Sequence, residues 1–171
     1  MPANIEIKAR VSDPIALRRR AEQLSDLPVE VISQVDTFFY TNRGRLKLRE
    51  LGPASAQLIF YSRPDSAGPK RSDYRIFTTD EPASLKETLA LALGVRGVVR
   101  KKRCLYMVGQ TRIHLDEVEG LGHFLELEVV LRDGQEEAEG QAIAQDLMRR
   151  LGVGPEALLE GAYMDLIEGG A

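Results

Sequence analysis

The sequence predicts an α+β protein built on antiparallel β-structure, either an open sheet or a closed barrel of about eight strands with flanking helices. Two observations predict this class. Polar and apolar side chains alternate in about eight separate segments, and several of these are rich in β-branched and aromatic residues. Segments with helical periodicity are few, so strands carry most of the fold.

Turn-forming residues separate the strand segments. Asn42, Arg43 and Gly44 form a turn, and Gly109 with Gln110 forms a hairpin. The stretch 64–72 contains prolines and a glycine, and it is predicted to be a loop. The predicted strands are 4–11, 29–41, 45–51, 57–63, 73–79, 95–108, 111–118 and 123–131.

Helical segments accompany the strands, and the first two begin with an acidic residue followed by proline, which is typical of a helix start. They are 13–24, 81–93, 135–151 and a shorter segment after Pro155. The side chains of the second helix that are predicted to face the core are Leu85, Leu89, Leu91 and Leu93. Residues 168–171 are expected to fray.

Length and composition indicate one globular domain over residues 1–171. Apolar residues make up 43% and charged residues 29%, with a formal net charge of −3. A dedicated nucleic-acid-binding protein would carry a clear basic excess, so nucleic acid is not a predicted partner. No apolar run approaches the ~18 residues of a membrane span, so no membrane partner is predicted. The charged start and the single cysteine, Cys104, favour the cytoplasm, and a homodimer is compatible with the sequence.

Like-charged side chains lie on single faces of several predicted strands, because residues two apart on a strand share a face. These faces are Arg45-x-Lys47-x-Arg49, Lys101-x-Arg103 and Glu126-x-Glu128. Taken alone, each is most simply the solvated face of a half-buried strand. Like charges on one face repel each other unless an opposite charge lies between them. The set together therefore favours a barrel that closes around a charged ligand.

The two kinds of face suit two kinds of ion. Paired carboxylates suit an oxygen-preferring metal such as Mg²⁺ or Mn²⁺. Several Lys and Arg on neighbouring strands suit a polyphosphate. A metal–triphosphate complex would satisfy both sets together.

Six blocks in consistent order resemble the CYTH superfamily, also called triphosphate tunnel metalloenzymes. The first, NIEIK at 4–8, matches the family signature Glu-x-Glu-x-Lys except that Asn4 stands in place of the first glutamate. The strongest is LDEVEGLGHFLELE at 115–128, and the segments 60–64 and 68–74 are most similar to the class IV adenylate cyclase branch. The other blocks are 36–40 with 44–50, 99–103 and 162–167.

The resemblance implies a closed antiparallel barrel whose interior is a tunnel with acidic and basic sides. The implied metal ligands are Glu6, Asp116, Glu126 and Glu128, and the implied catalytic residues are Glu6, Lys8 and Arg103. The residues implied to bind triphosphate are Lys8, Lys47, Arg49, Arg63, Lys70, Lys101 and Arg103. Arg45 and Lys102 are expected to face solvent, and His114 is given no role. Asn4 offers a neutral oxygen but no charge, so the implied set of metal ligands does not include it.

The implied activity is that of a metal-dependent class IV adenylate cyclase, which converts ATP to cyclic AMP and pyrophosphate. A triphosphatase acting on tripolyphosphate, a nucleoside triphosphate or thiamine triphosphate is the alternative. The same charged tunnel could position water at the terminal phosphorus or the ribose 3′-hydroxyl at the α-phosphorus. The replacement at Asn4 keeps a third alternative open, a non-catalytic triphosphate sensor.

Overall fold

Eight antiparallel strands close into a barrel in the computed structural model, which describes residues 1–169. The strands are β1 (Ala3–Arg10), β2 (Glu30–Phe39), β3 (Arg45–Gly52), β4 (Ser55–Ser62), β5 (Lys70–Thr79), β6 (Val95–Val108), β7 (Thr111–Val118) and β8 (Gly122–Val130). Around the barrel the order is β1-β5-β4-β3-β2-β6-β7-β8, and β8 pairs with β1. The α+β class with a closed eight-stranded barrel is therefore confirmed.

Helices flank this barrel. They are α1 (Pro14–Leu24), α2 (Pro82–Leu93), α3 (Glu137–Leu151) and α4 (Tyr163–Gly169), with a 3₁₀ turn at Pro155–Ala157. Helices α1 and α3 pack on the side formed by β1 and β6 to β8, whereas α2 packs on β2 and β3. Over residues 1–169, no helix combines the length and the apolar character that a membrane crossing requires.

Alternation along the strands gives the barrel wall an apolar outside and a polar inside. In β1, Ile5 and Ile7 are fully buried in the cluster formed with α1 and α3. Glu6 and Lys8 alternate with them and line the interior. Full burial of one large aliphatic side chain contributes roughly 1.5–3 kcal/mol. The packing of the helices on the outside therefore contributes to the stability of the barrel.

Local expectations for β5 and α2 are corrected by the structure. Residues 70–72, predicted as loop, belong to β5 because they pair with β1. Leu85 and Leu89 pack on the barrel as predicted. Leu91 and Leu93 do not, with 83% and 40% of their surface exposed. Leu91 follows Leu89 by only two positions, so it faces the opposite side of the helix.

The C-terminal helix α4 extends to residues that were expected to fray. The sequence predicted only a short helical segment after Pro155 and fraying from residue 168. Glu168 instead belongs to α4, and its carboxylate pairs with Arg96 at 2.7 Å. Gly170 and Ala171 lie outside the described residues.

Gly140 allows α3 to approach the barrel closely, so Gly140→Ala should be destabilising. A Cβ at this position would lie 2.6 Å from Cγ1 of Ile5 and 2.6 Å from Cδ2 of Leu131. Overpacking costs roughly 1–3 kcal/mol, against about 1 kcal/mol gained in helix propensity. We expect urea unfolding to show a loss of about 1 kcal/mol. Gln145→Ala, at an exposed position of the same helix, is the control and should not lose stability. A more stable Gly140→Ala variant would contradict the close packing.

Candidate functional site

The barrel encloses a cavity of about 430 Å³, which is a suitable size for a small molecule. Seven cationic and five acidic side chains line it. They are Lys8, Lys47, Arg49, Arg63, Lys101, Arg103 and Arg112, with Glu6, Glu30, Asp36, Glu126 and Glu128. The excess of cations makes the cavity suited to an anionic ligand.

The two ends of the cavity differ. At the end where β1 begins, β3 ends near Leu51 and β5 ends beyond Ile76, and both of these lining residues are partly exposed. At the opposite end, Leu159 donates a backbone hydrogen bond of 2.9 Å to the Lys8 carbonyl. Ala162 and Tyr163 follow and line the cavity. The C-terminal segment therefore covers one end, and a ligand would enter from the other.

Asp36 of β2 holds three cations in the wall of the cavity. It is 1% exposed and accepts two hydrogen bonds of 2.9 Å from Arg49 and one of 2.9 Å from Lys101. The ammonium of Lys47 lies 3.4 Å away. Burial would raise the pKa of Asp36, but Arg49, Lys101 and Lys47 hold this pKa well below its usual range. Asp36 therefore stays ionised and fixes all three cations.

Arg103 of β6 lies between two carboxylates. It donates two hydrogen bonds of 2.7 Å to Asp116, which is directly opposite on β7, and one of 3.2 Å to Glu126. The hydroxyl of Tyr163 donates a further hydrogen bond of 2.7 Å to Asp116. This arrangement orients the Arg103 guanidinium and ties α4 to the barrel.

Lys8 and Lys101 are buried lysines whose charged forms would be stabilised by a bound anion. The Lys8 ammonium lies 3.7 Å from the centre of the Tyr163 ring, which is a weaker partner than a carboxylate. Burial lowers the pKa of Lys8 to about 8 although Glu126 opposes this effect. Burial lowers the pKa of Lys101 to about 7 although Asp36 opposes it. A bound polyphosphate would raise both pKa values and stabilise the charged forms.

His114, Glu126 and Glu128 form a group that could hold a metal ion. One potential ligand atom from each lies within 4.8 Å of the others. His114 is directly opposite Glu126 across β7 and β8. Burial works against ionisation of Glu126, but Lys8 and Arg103 hold its pKa well below the usual range. Burial and the nearby Arg103 lower the pKa of His114 to about 4, so the imidazole is neutral at pH 7.

Glu6 of β1 faces this group from the next strand. It lies opposite Glu128 and accepts a hydrogen bond of 3.0 Å from Arg63. Burial, followed by the charge of Glu128, raises the pKa of Glu6 to about 7, and Arg63 only partly offsets them. Carboxylate and imidazole donors so arranged suit a divalent ion, which would remove the repulsion between Glu6 and Glu128.

Comparison with known proteins identifies the family. A family model described as the CYTH domain matches residues 2–163. The chain belongs to the CYTH domain family. Adenylate cyclase CyaB from Aeromonas hydrophila is 28% identical to this CYTH chain over 174 residues, covering 96% of the chain and 88% of the relative.

Solved structures share the same fold. The PH1012 protein from Pyrococcus horikoshii has a TM-score of 0.84 and 26% identity, covering 95% of this CYTH chain and 98% of its own. HpAC1 from Hippeastrum, described as a candidate adenylyl cyclase with a dominant triphosphatase activity, has a TM-score of 0.70 and 18% identity. The match to HpAC1 covers 99% of this chain and 96% of the HpAC1 chain. The fold of this chain is thus shared with proteins of low sequence identity.

Most residues that the sequence predicted for the CYTH site line the cavity. They are Glu6, Lys8, Lys47, Arg49, Arg63, Lys101, Arg103, Glu126 and Glu128. Lys70 is not among the lining residues; its ammonium donates a hydrogen bond of 2.6 Å to the Ser66 carbonyl. Asp116 is also not among them, because Arg103 and Tyr163 bind its carboxylate. The ligand-binding roles of Lys70 and Asp116 stay predictions.

Among the surrounding charges, Lys102 is exposed as expected. The expectation for Arg45 is wrong: its side chain is 16% exposed and pairs with Asp165 at 2.6 Å and with Asp65 at 3.1 Å. Sequence reasoning gave no role to Asp36 or His114. The alternation Arg112-x-His114-x-Asp116 did carry a signal for His114, since it places the imidazole on the same face as two charged residues.

The raised pKa of Glu6 gives a pH-dependent prediction for Glu6→Gln. Because the folded-state pKa of about 7 exceeds the ordinary 4.5, the folded protein binds this proton more tightly than the unfolded chain. The parent therefore loses stability as pH rises from about 4.5 to about 7. We expect Glu6→Gln to match the parent near pH 4.5 and to be more stable at pH 8, by up to about 3 kcal/mol.

Urea unfolding of the CYTH protein in EDTA, without triphosphate, measures this difference. Glu119→Gln removes an exposed carboxylate and should follow the parent at both pH values. A stability difference between Glu6→Gln and the parent that does not change with pH would contradict the assignment.

Proposed function

We propose that the chain is a divalent-metal-dependent enzyme that converts ATP to cyclic AMP and pyrophosphate, as class IV adenylate cyclases do. The observation that carries the proposal is the cavity, in which a cationic wall faces a carboxylate and imidazole group inside one closed barrel. The similarity to CyaB, an adenylate cyclase by name, over 96% of the chain supports the choice of reaction.

The phosphate groups would bind to the cationic wall. Lys47, Arg49 and Lys101 are already held in place by Asp36, so little side-chain entropy would be lost on binding. Lys8 and Arg103 extend this wall toward Glu126, and Arg63 extends it toward Glu6. The negative charge of a metal–triphosphate complex would offset the excess of cations that line the cavity.

The acidic group would hold Mg²⁺ or Mn²⁺, with Glu126 and Glu128 as ligands and Glu6 facing them from β1. When bound, the ion would supply positive charge to the phosphate oxygens. In this proposal, the Glu6 carboxylate orients the ribose 3′-hydroxyl and accepts its proton as the oxygen attacks the α-phosphorus. Lys8 and Arg103 stabilise the charge that develops as the bond to pyrophosphate breaks.

The open half of the cavity supports a nucleotide rather than a bare polyphosphate. Its lining includes apolar side chains at the ends of four strands, namely Ile32, Leu51, Ile76 and Leu105. Gln34 lies near them, and its buried Oε1 has no hydrogen-bond partner among residues 1–169. An apolar wall with a free acceptor suits a purine that carries an exocyclic amine.

A triphosphatase is the second candidate, because the charged groups are concentrated where the triphosphate alone would lie. In this reaction water, instead of the ribose hydroxyl, attacks the terminal phosphorus. The description of HpAC1 as having a dominant triphosphatase activity supports testing it, although that protein shares only 18% identity with this chain.

A product assay tests the proposal and separates the two candidates. Purified protein is incubated with ATP, tripolyphosphate or thiamine triphosphate in Mg²⁺ or in Mn²⁺, and the products are identified. We expect cyclic AMP and pyrophosphate from ATP, and no turnover by Glu126→Gln. Orthophosphate without cyclic AMP would establish the triphosphatase instead. Binding of triphosphate without any turnover would indicate a sensor and overturn both enzyme candidates.

Lys8 offers a sharp test of the binding site because its partner is a ring rather than a carboxylate. Lys8→Met keeps the length of the buried chain and removes the charge. A hydrogen bond to a charged group contributes roughly 1.5–3 kcal/mol, so the affinity for tripolyphosphate should fall by about 10- to 100-fold. Calorimetry in EDTA measures this affinity. Lys102→Met, on the exposed face of β6, is the matched control and should bind as the parent does. If the parent, Lys8→Met and Lys102→Met bound tripolyphosphate with equal affinity, the phosphates would not bind at Lys8.

A further inference from the structure

His114 points into the acidic group without a partner of its own. The residue is 4% exposed, and its Nδ1 makes no hydrogen bond within the described part of the chain. Nδ1 lies 4.0 Å from Oε1 of Glu128, which is too far for a hydrogen bond. Two ligands that each lie about 2.0–2.2 Å from one metal ion are separated by about 3–4 Å, so the observed spacing is that of atoms sharing an ion.

Glu126 and Glu128 each have one carboxylate oxygen that is free to bind an ion beside His114. Glu126 accepts a hydrogen bond of 3.2 Å from Arg103, and Glu128 accepts one of 2.9 Å from Arg112, in both cases through Oε2. Over residues 1–169, the Oε1 atoms of both glutamates receive no hydrogen bond. Each carboxylate is thus oriented by an arginine while one oxygen stays available for a metal ion.

We propose that His114 is a third metal ligand, beside Glu126 and Glu128, and that it gives the site a preference for Mn²⁺ over Mg²⁺. The inference rests on the proposed metal-dependent function and adds one nitrogen donor to it. Imidazole suits first-row transition ions, whereas carboxylates suit Mg²⁺ and Mn²⁺ alike, so a mixed set favours Mn²⁺.

Electron spin echo envelope modulation of bound Mn²⁺ tests the ligand directly, because a coordinated imidazole nitrogen modulates the echo. The chain has only two histidines, His114 and the exposed His123. His123→Gln leaves His114 as the single imidazole in the protein. We expect nitrogen modulation from Mn²⁺ bound to the parent and to His123→Gln, and none from Mn²⁺ bound to His114→Gln.

Calorimetry with Mn²⁺ alone and with Mg²⁺ alone gives a second readout. His114→Gln should weaken Mn²⁺ binding by about tenfold or more and Mg²⁺ binding by about threefold or less, since the amide still offers an oxygen. His123→Gln should leave both affinities unchanged.

The outcomes separate the ligand assignment from the proposed function. Mn²⁺ that binds to His123→Gln without nitrogen modulation would overturn the role of His114 while the metal site stands. This measurement does not require His114→Gln to fold. A parent protein that binds no Mn²⁺ would overturn the metal-dependent function and the ligand together. Modulation that is lost in His123→Gln would also overturn the proposal.

Discussion

The burial of many charges inside a closed barrel is the constraint on which the rest of the structure depends. Removing one ion from water costs several kcal/mol, and a buried pair recovers this only with good geometry and hydrogen bonds. The strand register provides that geometry. Asp36 faces Arg49, Arg103 faces Asp116, and Arg112 faces Glu128 in directly opposed pairs. The register therefore decides both which strands can be neighbours and which charges can be buried.

The buried charged groups of the cavity are not all paired equally well with opposite charges. Asp36 has strong partners and remains ionised, with a pKa well below its usual range. For Lys8, Lys101 and Glu6, nearby opposite charges offset the cost of burial only in part. Burial therefore lowers the pKa of the two lysines and raises the pKa of Glu6, which favours the neutral form of each. Burying such a charged group is costly unless an ion of opposite sign binds beside it. If the proposed metal–triphosphate complex binds here, part of its binding energy would come from relieving the desolvation cost of these buried groups.

The sequence predicts a large part of this architecture because alternation is a local property. The bounds of β6 and β7 and the inward faces of Lys47, Arg49, Glu126 and Glu128 follow from a two-residue period. Partners across the barrel do not follow, because they depend on pairing between distant strands. Asp36 is the clearest case. It is a lone acid between Gln34 and Phe38, and only the neighbouring β3 and β6 make it a hub for three cations.

Closure of one end adds a contact that no strand pattern contains. Tyr163 reaches the cavity from the C-terminal segment, and its position is fixed by Asp116 and Lys8. The position of Tyr163 depends on the path of the chain after α3, and the sequence of that segment has no periodic pattern from which the path could be predicted. For the same reason, the sequence predicted a solvent-facing Arg45, whereas Asp165 of α4 pairs with this side chain and limits its exposure.

The closed end also bears on the choice between the two reactions. A nucleotide that enters from the open end with its terminal phosphate leading would place that phosphate toward Tyr163 and its base at the apolar rim. His114 and Glu128 lie in the halves of β7 and β8 that are nearer the open end. His114 and Glu128 would then lie nearer the inner phosphates than the terminal one. In the proposed cyclase reaction, this order along the barrel would favour attack at the α-phosphorus over attack at the terminal one.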